Sequence, residues 1–379
     1  MRILFTGGGT AGHILPNIAV IEELRERFAD RGVDILYVGS HRGPERELCA
    51  KYVVDFQAIS TGKLRRYFAW ENFIDPFRVI KGCFDALGIV WKWKPNVVMS
   101  KGGFVSVPVV FAAWVLRVPV VLHEADVSMG LSNRICARFA KVICVSWEKT
   151  VEELERKWCC GDDGKKMVSK KVLFTGMPVR RELMSGVREK GLRFLGFDGK
   201  KPILLVMGGS LGAKNVNRLV RNVLPDLLKT YDVAHLTGEF DDTGIADGKA
   251  SIVGYRAFPY LYRELFDVYA CTSVVVSRAG ASSIAELSSL GLPCIFVPLS
   301  ATQSRGDQIV NANVLHEAGA CEVFIPERDS LAKFVKMVCG LGTDSHARTG
   351  LSNRIREFGE RHRRAAGQLA EVICGIAEK

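Results

Sequence analysis

SRAGASSIAELSSLGLPCIFVPLSATQSRGDQIVNAN, Ser277 to Asn313, is the stretch whose reading decides the fold. The apolar run Val274-Val275-Val276 just before it reads as a buried parallel strand. That strand runs into Arg278-Ala279-Gly280-Ala281, small residues that let a backbone bend sharply and approach a ligand closely. Ser282 and Ser283 are placed to cap a helix, Ile284 to Leu290, with Glu286 in its first turn. Gly291-Leu292-Pro293 ends that helix, and Cys294 to Val297 is a second buried strand. After the polar loop Ser300 to Asp307, another helix opens at Gln308. The result is a βαβα unit whose loops lie at the carboxyl ends of strands, where open α/β sheets bind ligands. A carboxylate near a helix start can accept a pair of ligand hydroxyls, and it is equally what the helix dipole favours. The facing Asp307-Gln308 pair tips the reading toward a polyol.

Working outward, the same pattern recurs. Arg2 to Thr6 is a short strand followed by Gly7-Gly8-Gly9-Thr10-Ala11-Gly12-His13 and a helix through Pro16, Ile18, Ile21 and Leu24. Gly7, Gly9 and Gly12 satisfy GxGxxG, a dinucleotide pattern. The next strand, Asp34 to Val38, runs into Gly39-Ser40-His41, with no acid where a ribose-binding carboxylate belongs. Backbone N–H groups at a helix start still suit an anion. His13 reads as a base, a phosphate partner, or a histidine satisfied by its own neighbours. Asn96 to Ser100 ends in a second glycine turn, Lys101-Gly102-Gly103, a second anion contact. Val120 to Leu122 leads to His123-Glu124-Ala125-Asp126, and Val142 to Val145 closes this half. Cys159 to Lys171 reads as an exposed loop, Val172 to Thr175 as a last strand, and Gly176 to Arg180 as a linker.

The second half repeats the scheme. Pro202 to Met207 precedes the glycine turn Gly208 to Ala213, where Ser210 and the backbone suit a phosphate, and a helix starts near Lys214. Further strands are expected at Val233 to Leu236 and Ile252-Val253, and a helix at Leu369 to Ile376 packs back on the first half. The expected fold is α/β: two doubly wound Rossmann-like domains facing a central cleft, 1–177 plus a C-terminal helix about 362–379, and 178–361.

The chain has 379 residues, 48% of them apolar and 25% charged, with a formal net charge of +11. Such a positive balance points to nucleic acid, anionic lipid or a phosphorylated substrate. With no zinc-finger spacing, RNP-like motif or basic tail, nucleic acid is not expected as a partner. Eleven cysteines without a CxxC read as reduced cytosolic thiols, and no metal cluster is visible. The N-terminus reads as a strand, so no signal peptide is expected, and no apolar run reaches the roughly 18 to 20 residues that span a bilayer. Between Lys63 and Lys94, Trp70, Phe73, Phe77, Ile80, Phe84, Leu87 and Trp91 recur at helical spacing among Lys63, Arg65, Arg66, Arg78, Lys81, Lys92 and Lys94. That is either an amphipathic helix with its aromatic face in the core, or a surface for anionic lipid.

Six segments together resemble the MurG family of GT-B glycosyltransferases (family 28): GGGTAGH at Gly7, SKGGFVSVP at Ser100, HEADVSMGLSN at His123, GGSLGAKNVN at Gly208, SRAGASSIAE at Ser277 and DQIVNAN at Asp307. The resemblance covers essentially the whole chain. It implies an inverting enzyme moving N-acetylglucosamine from UDP to the C4 hydroxyl of muramoyl-pentapeptide-pyrophosphoryl-undecaprenol, lipid I to lipid II. It implies UDP-GlcNAc as donor, no cofactor or metal, and a peripheral place at the cytoplasmic face of an anionic membrane, with other cell-wall or division proteins as partners. By the same resemblance Glu286 holds the ribose. Ser210 with Gly209 meets the diphosphate, and Thr10 and Arg180 lie near the donor. Asp307 and Gln308 read the sugar, and Ala281, Ser282 and Ser283 line its pocket. The uracil falls near Phe258 to Tyr262. Gly8, Gly9, Gly12, Gly102 and Gly103 receive the acceptor diphosphate, and His13 or Asp126 acts as the base. The commoner family pattern has HEQN where this chain has His123-Glu124-Ala125-Asp126; RGDQ at Arg305 to Gln308 resembles a Gram-positive branch. The rival readings are a GT-B transferase with another lipid acceptor, an NAD-dependent oxidoreductase, and a non-catalytic cell-wall scaffold.

Overall fold

The computed structural model describes residues 1–62, 71–158, 171–209, 213–238, 252–300 and 306–378, with 71–76 described as backbone only. The chain divides into two compact units, Met1–Arg180 with Arg361–Lys379, and Arg181–Glu360. The division falls at Arg180, three residues beyond the expected end at 177, so Arg180 belongs to the first unit.

The first unit is built on a seven-stranded parallel sheet: β1 (Arg2–Thr6), β2 (Asp34–Ser40), β3 (Asp55–Ile59), β4 (Val97–Ser100), β5 (Val120–Glu124), β6 (Val142–Val145) and β7 (Val172–Phe174). The order is β3-β2-β1-β4-β5-β6-β7. Side chains alternate across the pleat, so each strand feeds two cores. Leu4, Leu36 and Val38 join the helices Glu71–Trp93 and Ser106–Val115 on one face. Ile3, Phe5, Ile35 and Tyr37 meet helix Ala11–Arg27 and the chain's last helix on the other. That last helix runs Ser345–Ala377, far longer than the expected Leu369 to Ile376, and its Leu369, Ala370 and Ile373 are buried in this core. Strand β3 is an addition to the sequence reading. Its edge position leaves DFQAI half-exposed, with no apolar run to betray it.

The second unit carries a six-stranded parallel sheet: β8 (Ile203–Met207), β9 (Asp232–Leu236), β10 (Tyr255–Phe258), β11 (Val274–Ser277), β12 (Cys294–Phe296) and β13 (Glu322–Val323). Its order is β10-β9-β8-β11-β12-β13. The strand expected at Ile252-Val253 lies instead at β10: Val253 is exposed, Gly254 turns the chain with φ +78°, and Tyr255 and Ala257 pack on the core. The first strand of each unit is thus central, and the glycine turns follow carboxyl ends of neighbouring strands. Residues 63–70, Ser210 and residues 159–170 of the expected loop lie outside the described residues.

Candidate functional site

In the second unit, helix Ala281–Leu290 begins three residues earlier than expected. Gly280 occupies the cap through its backbone, with Ile284 N donating to Gly280 O at 2.9 Å. Ser282 and Ser283 therefore sit inside the first turn rather than at the cap, and Glu286 falls in the second turn, not the first. The change of register improves the geometry. Ser282 and Glu286 are four apart and Ser283 three from Glu286, so all three share one side of the helix. They are half-buried while Ala281, Ile284, Ala285 and Leu287 are buried, so that side is the less buried one.

The adjoining turn is fixed from two directions. The Arg278 Nη1 donates to Val297 O at 3.2 Å, and Asn311 Nδ2 to Ala279 O at 3.4 Å. Asp307 and Gln308 open helix Asp307–Glu317, with Gly306 left-handed just before them. Gln308 Oε1 accepts from Leu299 N at 3.1 Å, which anchors the carbonyl end of its amide. The turn after β8 has Gly209 at φ +89°; Ser210 is outside the described residues. Of the Phe258 to Tyr262 segment, Phe258 stacks on Phe194 with centroids 5.2 Å apart, and Tyr260 and Tyr262 are exposed.

In the first unit the two glycine turns pack on one another. Beneath the first, Tyr37 OH donates to Gly7 O at 2.8 Å. Gly9 N donates to Glu45 Oε1 at 2.9 Å, and the Ser40 hydroxyl lies 3.3 Å from Glu45 Oε2. Glu45 is fully buried, so one donor of the expected anion loop already serves a carboxylate of the protein itself. Gly12 is inside helix Ala11–Arg27, and Thr10 precedes it. Thr10 Oγ1 lies 3.0 Å from His13 Nδ1, which fixes the ring. In the second turn Ser106 Oγ donates to Gly102 O at 2.7 Å.

At the end of β5, Glu124 accepts from Ala125 N and Asp126 N through Oε1, and from Gly130 N and Asn133 Nδ2 through Oε2. Four donors fold the 125–130 loop around one carboxylate and present half-buried Asp126. His123 is buried, with Nε2 2.8 Å from Gly176 O. A carbonyl only accepts, so Nε2 carries the proton and Nδ1 the lone pair. Burial, reinforced by nearby Lys101, holds this imidazole well below the usual histidine range. Arg180 donates from Nη1 to Tyr52 OH at 3.3 Å.

The aromatic stretch divides in two. Ala86 and Val90 are buried and Leu87, Ile89 and Trp93 pack on the core, whereas Phe77 (72%), Ile80 (55%), Phe84 (67%) and Trp91 (69%) face solvent. The neighbouring Ser106–Val115 helix exposes Trp114 and Val115, and Arg78, Lys81, Lys92 and Arg117 are exposed around them. Most of the described aromatic face is therefore not core. No helix of the described residues is long and apolar enough to cross a membrane, and no metal-holding cluster of His, Cys, Asp or Glu occurs among them.

The model of the glycosyltransferase family 28 N-terminal domain matches residues 3–145, and that of its C-terminal domain residues 203–354. A Bacillus cereus protein, UDP-N-acetylglucosamine–N-acetylmuramyl-(pentapeptide) pyrophosphoryl-undecaprenol N-acetylglucosamine transferase 2, is 45% identical over 337 residues, 89% of this chain and 90% of its own. The transferase of that name from Clostridium kluyveri is 42% identical over 88% of this chain and 89% of its own. The chain belongs to glycosyltransferase family 28. Among solved structures, that of Acinetobacter baumannii MurG superposes with a TM-score of 0.70 at 21% identity, covering 99% of both chains. The fold is GT-B, as the motifs imply.

Within a family 28 glycosyltransferase frame, the predicted site residues form two sets. Ala281, Ser282, Ser283, Glu286, Asp307 and Gln308 lie on adjoining turns of the second unit; Gly8, Gly9, Thr10, Gly12, His13, Gly102, Gly103 and Asp126 lie at strand ends of the first. Three residues escaped sequence reading: Glu45 against the first glycine loop, Glu124 as a loop anchor, and Lys101. A charged residue directly after an apolar strand, as in Val97-Val98-Met99-Ser100-Lys101, was the available signal for the last.

Proposed function

We propose that this protein is an inverting N-acetylglucosaminyltransferase that uses UDP-GlcNAc to glycosylate the C4 hydroxyl of lipid-linked MurNAc-pentapeptide, lipid I. The observation that carries the reading is the shared, half-buried helix side of Ser282, Ser283 and Glu286 in the same unit as the Asp307-Gln308 helix start. It joins 42–45% identity to enzymes named for that reaction. Glu286 accepts the two ribose hydroxyls, Gln308 and Asp307 read the sugar, and Gly209 with Ser210 meets the diphosphate. Arg180 and Thr10 complete the donor contacts.

On the acceptor side, the C4 oxygen attacks the anomeric carbon opposite the leaving group. The new C–O bond forms as the bond to the UDP oxygen breaks, UDP takes the electron pair, and the C4 proton passes to a base. His13, whose Nδ1 lies 3.0 Å from the Thr10 hydroxyl, takes that proton on Nε2 in the tautomer that donates from Nδ1. Asp126 orients the acceptor, and the turns at Gly8, Gly9, Gly12, Gly102 and Gly103 face its diphosphate. Phe77, Ile80, Phe84, Trp91 and Trp114 dip into the headgroup region, with the surrounding cations on anionic lipid at the cytoplasmic face.

The test is UDP release from UDP-GlcNAc and a short-chain lipid I analogue, in EDTA, for wild type and Glu286→Ala. Release by wild type, with kcat/KM down about 10- to 100-fold in the variant, is expected for loss of a charge-assisted hydrogen-bond pair. Donor binding without release on lipid I would redirect the search to another acceptor, and absence of donor binding would refute the assignment.

A further inference from the structure

Lys101 stands where β4 ends and the second glycine turn begins. It is 1% exposed, and its Nζ has no hydrogen-bond partner among the described residues. Its Cβ lies 3.0 Å from where a Cβ on Gly7 would be, so it packs against the first glycine turn as well. The obvious partner, Glu124, already accepts four hydrogen bonds from Ala125 N, Asp126 N, Gly130 N and Asn133 Nδ2. Thr6 Oγ1, Ser100 Oγ and His123 Nδ1, at the ends of the three central strands, are also buried without hydrogen-bond partners among the described residues. An ammonium in such a place is costly unless an anion compensates it. Its retention calls for a reason outside packing.

We propose that Lys101 is a positioning residue for the acceptor: its buried ammonium, between the two glycine turns, supplies the positive field that holds the acceptor's diphosphate over them. The proposal rests on the functional reading above. Being buried, Lys101 acts through the turns and makes no contact with the substrate. The charges and titratable groups facing it are Glu124 and Asp126, which favour the ammonium, and neutral His123. Glu45 lies across the first turn, and His362 of the last helix acts on His123. The carboxylates set a negative field near the turns, which the Lys101 ammonium opposes. Burial pulls the Lys101 ammonium down to about 8, against the opposing fields of Glu124 and Asp126. The charge is therefore full below that pH and lost above it.

The experiment compares wild type with Lys101→Met in steady-state turnover of UDP-GlcNAc with a short-chain lipid I analogue from pH 6.5 to 9.5, alongside thermal melting and calorimetric titration with UDP-GlcNAc. The expected result has four parts. Melting is lowered, because Glu124 and Asp126 lose the cation that faces them, and UDP-GlcNAc affinity is unchanged. The acceptor KM is raised about tenfold near neutral pH, and the wild-type rise of that KM above pH about 8 is absent from the variant. A lysine that matters only to packing would shift melting and leave the acceptor KM and its pH profile as in wild type, and that result overturns the proposal. Should the variant not fold, the wild-type profile decides: an acceptor KM flat through pH 8 overturns it too. A wild type that binds donor but turns over no lipid I would instead overturn the functional reading, and this inference with it.

Discussion

The glycine turns of the two units look alike in sequence and do different physical work. In the first unit the glycines are there because protein is packed against them. A Cβ on Gly8 would meet Glu45 Oε1 at 2.0 Å, one on Gly102 Asn133 Oδ1 at 2.6 Å, and one on Gly103 the carbonyl oxygen of Gly8 at 2.4 Å. In the second unit, Gly209, Gly280 and Gly306 would meet no described atom within 4 Å. Gly209 and Gly306 have a backbone reason, with φ of +89° and +78°. Gly280 has neither: its φ of −70° and ψ of 139° suit any residue. The first set of turns is packed against protein, whereas the second has clearance among the described residues. A glycine motif alone does not distinguish these uses.

The contrast is broken or sharpened most strongly at Gly103. Gly103→Ala places a methyl on a backbone oxygen, where no side chain can swing aside, at φ +85°. A loss of at least about 3 kcal/mol in the first unit's unfolding is expected, read as the midpoint of a urea transition. Melting within about a degree of wild type would mean the two turns are not packed as described.

Acid provides the next test, since the crowding that excludes side chains also excludes water from two histidines. His362 accepts Met177 N–H on Nδ1 and burial holds it down to about 4; His123 lies well below its usual range for the same reason first, with Lys101 second. Both pKa values are lower folded than unfolded. Between the ordinary value near 6.5 and about 4 the unfolded chain binds protons that the folded one refuses, so stability falls as pH falls through that window. His362 alone contributes about 3 kcal/mol to the decline. His362→Asn keeps an acceptor for Met177 N–H but takes up no proton, so its melting temperature should fall less steeply than wild type from pH 6.5 to 4; parallel slopes would remove His362 from the account.

Legibility followed the range of the interactions involved. Parallel strands buried on both faces, such as Ile203–Met207 and Val274–Ser277, are apolar runs that any reading finds. The shared side of Ser282, Ser283 and Glu286 follows from helical spacing once the helix exists, although its start was misplaced because Gly280 caps through backbone alone. Edge strand β3 has no such run. Periodicity in Glu71–Trp93 revealed a helix without saying which side faces the sheet, and the small Ala86 and Val90, not the aromatics, turned out to allow close approach. Glu45 was illegible, and Lys101 legible only as a charge after an apolar strand, for a further reason. What makes them matter is burial against turns 36 residues away in the first case and against Gly7 in the second, and burial of a charge is a property of the assembled sheet.

Gly280→Ala is the smallest change and separates the two kinds of turn most cleanly. The added methyl meets no described atom and needs no strained backbone, and alanine at a helix cap costs only up to about 1 kcal/mol relative to glycine. Melting should therefore stay close to wild type, in contrast to Gly103→Ala. If the clearance before Gly280 is where the donor's sugar-diphosphate passes, the methyl intrudes on substrate instead of protein. The KM for UDP-GlcNAc should then rise about tenfold, or about 1.4 kcal/mol, with the acceptor KM unchanged. A variant with wild-type donor KM would show that Gly280 is not part of the donor path. Glu286 and the serines would then have to hold the nucleotide from further along the same helix side. A variant that instead melted like Gly103→Ala would erase the distinction, making both turns parts of the packed protein.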